Sequence, residues 1–116
     1  MVGSSDFSEA GFIAWDLIED KIWADDAVAG FLGVHATVLA LGLSVTDLIE
    51  FVHHEDREEL AAETLAAITS GKPWDVTYRL VRNDKSTITV NVIGRCLRYN
   101  DGYPTLSTGI MREVIG

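Results

Sequence analysis

One amphipathic helix that stops sharply, and is followed only by strand-forming segments, constrains the fold most. Within residues 55–69, apolar positions recur at four-residue steps from Leu60 to Ile68 and form one apolar stripe. Acidic residues crowd the first turn, where the helix dipole favours negative charge. Gly71 can adopt the left-handed conformation that ends a helix, and a helix cannot continue through Pro73. The sequence therefore predicts one firm helix that ends before Pro73.

The chain beyond this helix has the period of two that is typical of antiparallel strands. Apolar and polar residues alternate over residues 76–80 and again over residues 88–92, with a turn between the two runs. The alternation then weakens, and Gly94 predicts a β-bulge. A second turn at residues 100–102 leads into a last strand over residues 105–114. These patterns predict a meander of three strands.

The first third of the chain predicts a hairpin followed by short helices. Residues 12–17 and 21–24 are two β-prone runs separated by a short polar segment. Residues 25–41 are rich in Ala and Leu, and Gly30 and Gly33 predict breaks between short helices rather than one long helix. Together with the later helix and the meander, this order predicts an α+β fold in which helices pack against one antiparallel sheet.

Composition limits the class of protein. A chain of 116 residues with 47% hydrophobic content is sufficient for one packed domain, which we expect over residues 12–116 behind a flanking segment of residues 1–11. The formal charge of −9 argues against nucleic acid and anionic membranes as partners. Residues 1–6 do not show the basic start and apolar core that are typical of a signal peptide, and the sequence contains no apolar run of about twenty residues, the length that a membrane span requires. Cys96 is the only cysteine, which excludes an internal disulfide, and we expect a cytoplasmic protein.

The ordered set of motifs resembles the PAS superfamily, in particular the branch found in bacterial sensor histidine kinases. The resemblance extends over nearly the whole chain, and no single motif in it is decisive. Residues 51–57 (FVHHEDR) are similar to the apolar-His-Pro-acid-Asp-Arg motif of that branch. The other matching segments are residues 12–17, 21–24, 31–33, 78–80 and 109–114.

Three positions depart from the pattern of that branch. His54 replaces the usual Pro, Lys85 stands where Gly usually follows Asp, and residues 113–115 (EVI) replace Asp-Ile-Thr. The last departure bears on the usual contact between the final strand and an output helix. The resemblance still implies a five-stranded antiparallel sheet in the order 2-1-5-4-3, with helices on one face and a pocket between them.

The same resemblance implies the function of a sensory input domain in a bacterial signal-transduction protein, with a histidine kinase as the expected host. Such a domain would act through the geometry of a homodimer, and a downstream signalling domain would carry the output. We expect the domain itself not to be an enzyme, because the sequence contains no catalytic motif. The alternative within the family is a ligand-free module for dimerisation or protein interaction.

No cofactor or metal ion is predicted. His53 and His54 are adjacent, so they point in different directions, and no further His or Cys follows at helical spacing. Haem-binding members of the family place the proximal His on the long helix, where this chain has none, so His35 is a weak haem candidate. Light-sensing members need a cysteine motif before that helix, whereas Cys96 falls in a late strand. We therefore expect a colourless protein.

A small α+β enzyme of the ketosteroid-isomerase type is the alternative from a different class. Asp16 could serve as the base and Tyr78 as the hydrogen-bond donor in such a site. Those folds begin with long helices, whereas this chain begins with strand patterns. We therefore retain the enzyme only as a remote alternative.

Any ligand is expected between the inner face of the sheet and the helices of residues 44–69. The candidate lining has no Lys or Arg, which favours a small, uncharged, mostly apolar ligand. A weak homodimer is expected through the outer face of the sheet, at Thr77, Val81, Thr89 and Ile93, and through residues 2–11. The ligand-pocket candidates are Trp15, Trp23, Leu48, Tyr78, Leu80, Val90, Val92 and Ile110.

Overall fold

The computed structural model describes residues 10–115, which form five strands, four α-helices and one short 3-10 helix. No helix within these residues is both long and apolar enough to cross a membrane. In chain order the elements are β1 (Ala10–Asp16), β2 (Lys21–Ala24), α1 (Asp26–Leu32), α2 (Ala36–Leu41), α3 (Val45–Ile49), the 3-10 helix (His54–Asp56), α4 (Arg57–Ser70), β3 (Trp74–Val81), β4 (Thr87–Asn100) and β5 (Tyr103–Glu113).

The five strands form one antiparallel sheet in the order β2-β1-β5-β4-β3, which confirms the predicted fold class and strand order. Helices cover one face of the sheet, which we call the inner face. The register aligns inward-facing residues of neighbouring strands into rows across the sheet. One row runs from Ile13 through Gly109 and Gly94 to Trp74, and the next contains Gly11, Met111, Val92 and Val76.

The main hydrophobic core lies under α1 and α2. These helices contribute Val28, Leu32 and Leu39, each at most 1% exposed, against the fully buried Leu80 and Val90 of the sheet. Such dense apolar burial provides most of the favourable free energy of folding.

Local chemistry explains why the helices begin and end where they do. The Asp25 carboxylate accepts a hydrogen bond from the Val28 backbone N–H at 3.1 Å, and Ser44 caps α3 in the same way. Gly71 ends α4 in the left-handed conformation with φ of 74°, as its sequence position predicts. Gly30, in contrast, lies inside α1 and does not break it.

The structure corrects a second local prediction and refines a boundary. Gly94 is not a bulge, because it pairs regularly with both Trp74 and Gly109. The irregular pairing lies further along β4, between Cys96 and Tyr99. Strand β1 begins at Ala10, two residues before the expected start of the domain, and residues 1–9 of the expected flanking segment lie outside the described residues.

Candidate ligand cavity

An apolar cavity of about 480 Å³ lies between the inner face of the sheet and helices α3 and α4. Its volume falls within the range of pockets that hold small molecules, about 300–1,000 Å³. The residues that line it are Ile13, Trp15, Ile22, Val45, Thr46, Leu48, Ile49, Val52, Leu60, Ala61, Thr64, Leu65, Ile68, Trp74, Val76, Tyr78, Val92, Ser107, Thr108 and Gly109.

Two paired glycines create space at the sheet side of the cavity. Gly94 and Gly109 lie opposite each other on β4 and β5, so the row between Ile13 and Trp74 has no side chain at its centre. The Trp74 indole occupies the place of a side chain at Gly94, because a Cβ there would lie 2.7 Å from Trp74 Cε2. At Gly109, in contrast, the three atoms nearest to an added Cβ all belong to the sheet itself. Gly109 is therefore open on its cavity side and lines the cavity.

Helix α4 forms the opposite wall and is only shallowly packed. Ala67 is its only buried residue, whereas Leu60, Thr64 and Ile68 are half-buried along the wall. Leu65 also lines the cavity but is 66% exposed, which places it at the opening to solvent. The apolar stripe that the sequence predicts therefore faces the cavity and does not fill a closed core.

The cavity offers little polar chemistry and no charge. None of its lining residues, all within the described part of the chain, is Asp, Glu, Lys, Arg or His. The Trp15 indole N–H donates to Asp20 Oδ1 at 3.3 Å and is therefore already bonded. Burial raises the pKa of the Tyr78 phenol above its ordinary value, so this group is a neutral hydroxyl at physiological pH.

The structure brings four of the eight candidate residues to this cavity: Trp15, Leu48, Tyr78 and Val92. Leu80 and Val90 are fully buried on the same face but lie outside the cavity, in the core under α1 and α2. Trp23 and Ile110 do not line it, because strand alternation turns their side chains to the outer face, next to the inward-facing Ile22 and Met111.

A ligand was expected against the helices of residues 44–69, but the candidate residues included none from α4 or from the glycine row. Period-two counting from Val92 would have placed Gly94 on the inner face, and the stripe of α4 was already recognised as apolar. The pairing of Gly94 with Gly109 depends on the register of β4 and β5, which the sequence patterns do not define.

The His/acid motif, residues 53–57, is hydrogen-bonded to the edge strand β3. Asp56 accepts hydrogen bonds from the backbone N–H of Arg79 at 2.8 Å, from its Nε at 3.0 Å and from its Nη2 at 2.8 Å. The hydrogen bond from the Arg79 side chain, followed by that from its backbone, lowers the pKa of Asp56 from 3.8 to about 2. Arg57 Nε donates to the Val52 carbonyl at 2.9 Å. This segment therefore has a structural role.

The other residues considered for chemistry lie in local structural contacts. His53 Nδ1 accepts from the Glu55 backbone N–H at 3.1 Å, and His35 accepts from that of Thr37 at 3.4 Å. The Cys96 thiol donates to the Leu106 carbonyl and does not line the cavity. Asp16 accepts from two backbone N–H groups of the β1–β2 turn. Within the described residues, no three metal-ligating side chains come together.

The comparisons with known proteins agree on the fold. A family model described as the PAS fold matches residues 21–111. A sensory box histidine kinase/response regulator from Burkholderia thailandensis superposes with a TM-score of 0.80 at 20% identity, over 96% of this chain and 79% of that one. The N-terminal domain of a diguanylate cyclase with a PAS/PAC sensor from Marinobacter aquaeolei gives 0.79 at 17% identity, over 90% and 94%.

A light-oxygen-voltage domain that was studied with a flavin analogue gives a TM-score of 0.70 at 17% identity, over 98% of this chain and 84% of that one. No curated protein matches this chain by sequence. At such low identity the structural neighbours establish a shared fold, and the ligand of one neighbour does not carry over to this chain.

Proposed function

Because this chain belongs to the PAS fold family, we propose that it is the sensory input domain of a signalling protein of the histidine kinase type. Members of this family are generally sensory modules rather than catalysts, and similar domains occur in a histidine kinase and a diguanylate cyclase. The observation that carries the proposal is the uncharged apolar cavity of about 480 Å³ between the sheet and α4. Ligand occupancy there would be transmitted to a downstream domain.

The ligand that suits this cavity is small, uncharged and mostly apolar. Burying a charged group against these walls would cost several kcal/mol without a compensating partner. The test is native mass spectrometry of freshly purified protein, followed by a thermal-shift screen with small aromatic compounds. A bound mass or a reproducible rise in melting temperature is expected. If both measurements are negative, the ligand-free interaction module is the better assignment.

No flavin adduct or haem is expected in this cavity. The light-oxygen-voltage neighbours share the fold, but the only cysteine of this chain, Cys96, does not line the cavity, and its thiol is hydrogen-bonded to a backbone carbonyl. None of the three histidines lines it either. The purified protein should be colourless, and a visible absorption band that survives desalting would contradict this assignment.

Signal transmission through a homodimer is the second part of the proposal. Phe12, Ile110 and Ile93 form a continuous apolar row across β1, β5 and β4 on the outer face and are 56%, 37% and 53% exposed. An exposed apolar row of this kind is typical of an interaction surface. Thr77 and Thr89 lie on the same face at its β3 and β4 side. We propose that two copies pair through this surface.

Analytical ultracentrifugation at micromolar concentration tests the dimer. Ile93→Glu should raise the dissociation constant by roughly tenfold or more, because it places a charge in the centre of the contact. Leu41→Glu is the matched control, since Leu41 is 77% exposed on α2 and is not part of the apolar row. A wild-type protein that remains monomeric at high micromolar concentration would remove this part of the proposal.

Two further expectations complete the proposal. We propose no catalytic activity for the domain: Asp16, the base in the isomerase alternative, is bonded to its own turn and is not among the cavity-lining residues. The cytoplasmic location stays a prediction that rests on the acidic composition and the single cysteine.

A further inference from the structure

Ser107 carries a buried hydroxyl that the protein leaves without a partner. The residue is 1% exposed on β5, and within residues 10–115 its Oγ makes no hydrogen bond. Buried polar atoms in native proteins almost always have a partner, so an unpaired hydroxyl calls for an explanation. Ser107 lines the apolar cavity, and that cavity is where a partner could come from.

The neighbours of Ser107 on the sheet have their polar groups bonded elsewhere. Trp15 lies opposite Ser107 on β1, and its indole N–H donates to Asp20. Cys96 lies opposite on β4, and its single S–H lies within reach of two acceptors, the carbonyl oxygens of Arg98 and Leu106, each 3.4 Å from Sγ. The Ser107 hydroxyl is thus free to bond to a molecule inside the cavity.

The surface next to Ser107 is flat and has no side chain. Gly109 follows on the same face of β5, about 7 Å along the strand at the usual rise per residue. Gly109 leaves bare backbone there, and the Trp74 indole covers the paired Gly94 beside it. A planar ring can lie on this backbone next to Trp74 while a substituent on the ring reaches Ser107.

We propose that Ser107 Oγ is the specificity-determining polar contact of the cavity, and that its ligand is a neutral aromatic ring bearing one hydrogen-bonding group, such as a phenol or an indole. This inference rests on the proposed ligand-binding function and adds to it the class of ligand and the orientation of that ligand. A ring without the polar group leaves the Ser107 hydroxyl unpaired, and a charged ring finds no counter-charge.

The test compares 2-naphthol with naphthalene, which differ by one hydroxyl, in binding titrations followed by tryptophan fluorescence. Wild-type protein should bind 2-naphthol roughly tenfold more tightly than naphthalene, the effect of one additional buried hydrogen bond. In Ser107→Ala the two affinities should become nearly equal, through loss of 2-naphthol affinity alone. Ser107→Thr should restore the preference because it keeps the hydroxyl.

A matched control and the folding of the variants complete the design. Thr87→Val removes a hydroxyl from the exposed start of β4, outside the cavity, and should leave the preference unchanged. Ser107→Ala should melt at the same or a higher temperature than wild type, because it removes an unpaired buried oxygen.

The outcomes separate the two proposals. If wild type binds the two compounds equally, or if Ser107→Ala keeps the preference for 2-naphthol, the role of Ser107 is wrong and the ligand cavity stands. If wild type binds neither compound, ligand binding in this cavity and the role of Ser107 are both wrong. A preference for 2-naphthol that Ser107→Ala abolishes and Thr87→Val retains supports both proposals.

Discussion

The two ends of the inner sheet face are built in opposite ways. In what we call the filled half, Leu80, Val90 and Met111 are completely buried under α1 and α2. In the cavity half, Gly109 has no side chain, the Trp74 indole covers the paired Gly94, and α4 on the opposite side has one buried residue. The same sheet thus carries a close-packed core and a ready space for a ligand.

This difference indicates how the domain could respond to a ligand. Elements with few buried contacts open at the lowest free energy, whereas dense cores open only with global unfolding. Helices α3 and α4 are the weakly packed helices, with no buried residue and one buried residue respectively, whereas the filled half is densely packed. A ligand that enters the cavity would therefore affect α4 before it affects the core.

A matched pair of valines on β4 tests the comparison most directly. Val90 is fully buried in the filled half, whereas Val92, two residues along the same face, lines the cavity. Val90→Ala should lower the free energy of unfolding by about 2–3 kcal/mol, because a new void opens in a packed core. Val92→Ala should cost only the transfer free energy of the deleted methyl groups, about 1–2 kcal/mol, because the space beside it already exists.

Urea denaturation of both variants measures this pair, since the slope of unfolding should not change. Equal losses at the two positions would mean that the cavity half packs as densely in solution as the filled half.

The ion pair between Asp56 and Arg79, at the edge of the filled half, should contribute less to the free energy of unfolding than Val90 does. Asp56→Ala removes three hydrogen bonds to Arg79 and should lower the free energy of unfolding by about 1–2 kcal/mol, a modest figure because Arg79 is partly exposed. Because the pKa of Asp56 is lowered from 3.8 to about 2, its contribution is complete above pH 4 and disappears as the pH falls towards 2.

Unfolding titrations of wild type and Asp56→Ala between pH 7 and pH 2 check this prediction. The difference between the two proteins should be constant down to about pH 4 and shrink below it. A difference that does not change with pH would show that the Asp56 carboxylate is not held by Arg79.

Most of the fold was predicted from the sequence, because the signals for its helices and strands are local. Helix α4 and the strands carry clear periodicities, and turn residues lie between them. The order of the family motifs also predicted the strand order, which local patterns alone would not define.

Only half of the predicted lining residues were correct, because a cavity depends on where side chains are absent from the core. An apolar residue that lines a cavity and one that fills a core look alike in sequence, so Val90 and Val92 were indistinguishable. The gap itself comes from the register that pairs Gly94 with Gly109. Ile110 was predicted to line the pocket, but its side chain faces outward. Strand alternation from its buried neighbour Met111 would have placed Ile110 on the outer face.

A stabilising substitution in the turn after β3 can strengthen the filled half without touching the cavity. Lys85 has φ of 73°, a left-handed conformation that costs an L-residue about 1 kcal/mol. Lys85→Gly should raise the free energy of unfolding by about 0.5 kcal/mol, after the entropic cost of glycine is deducted. Urea titration measures the gain, and the 2-naphthol affinity should not change. A loss of stability would mean that the lysine side chain makes a contact that offsets the strain.

The smallest change in the free energy of unfolding is expected at the opening of the cavity half. Leu65 lies on α4 and lines the cavity, yet it is 66% exposed. Leu65→Gln should therefore change the free energy of unfolding by less than about 0.5 kcal/mol, since little apolar area is removed from a buried site and both residues favour helix. The same substitution at Leu60, which is half-buried on the inner side of α4, should cost clearly more and serves as the reference. Urea denaturation of the two variants gives the result. If Leu65→Gln is as costly as Leu60→Gln, then α4 closes onto the sheet in solution, Leu65 is buried there, and the cavity half is a second packed core.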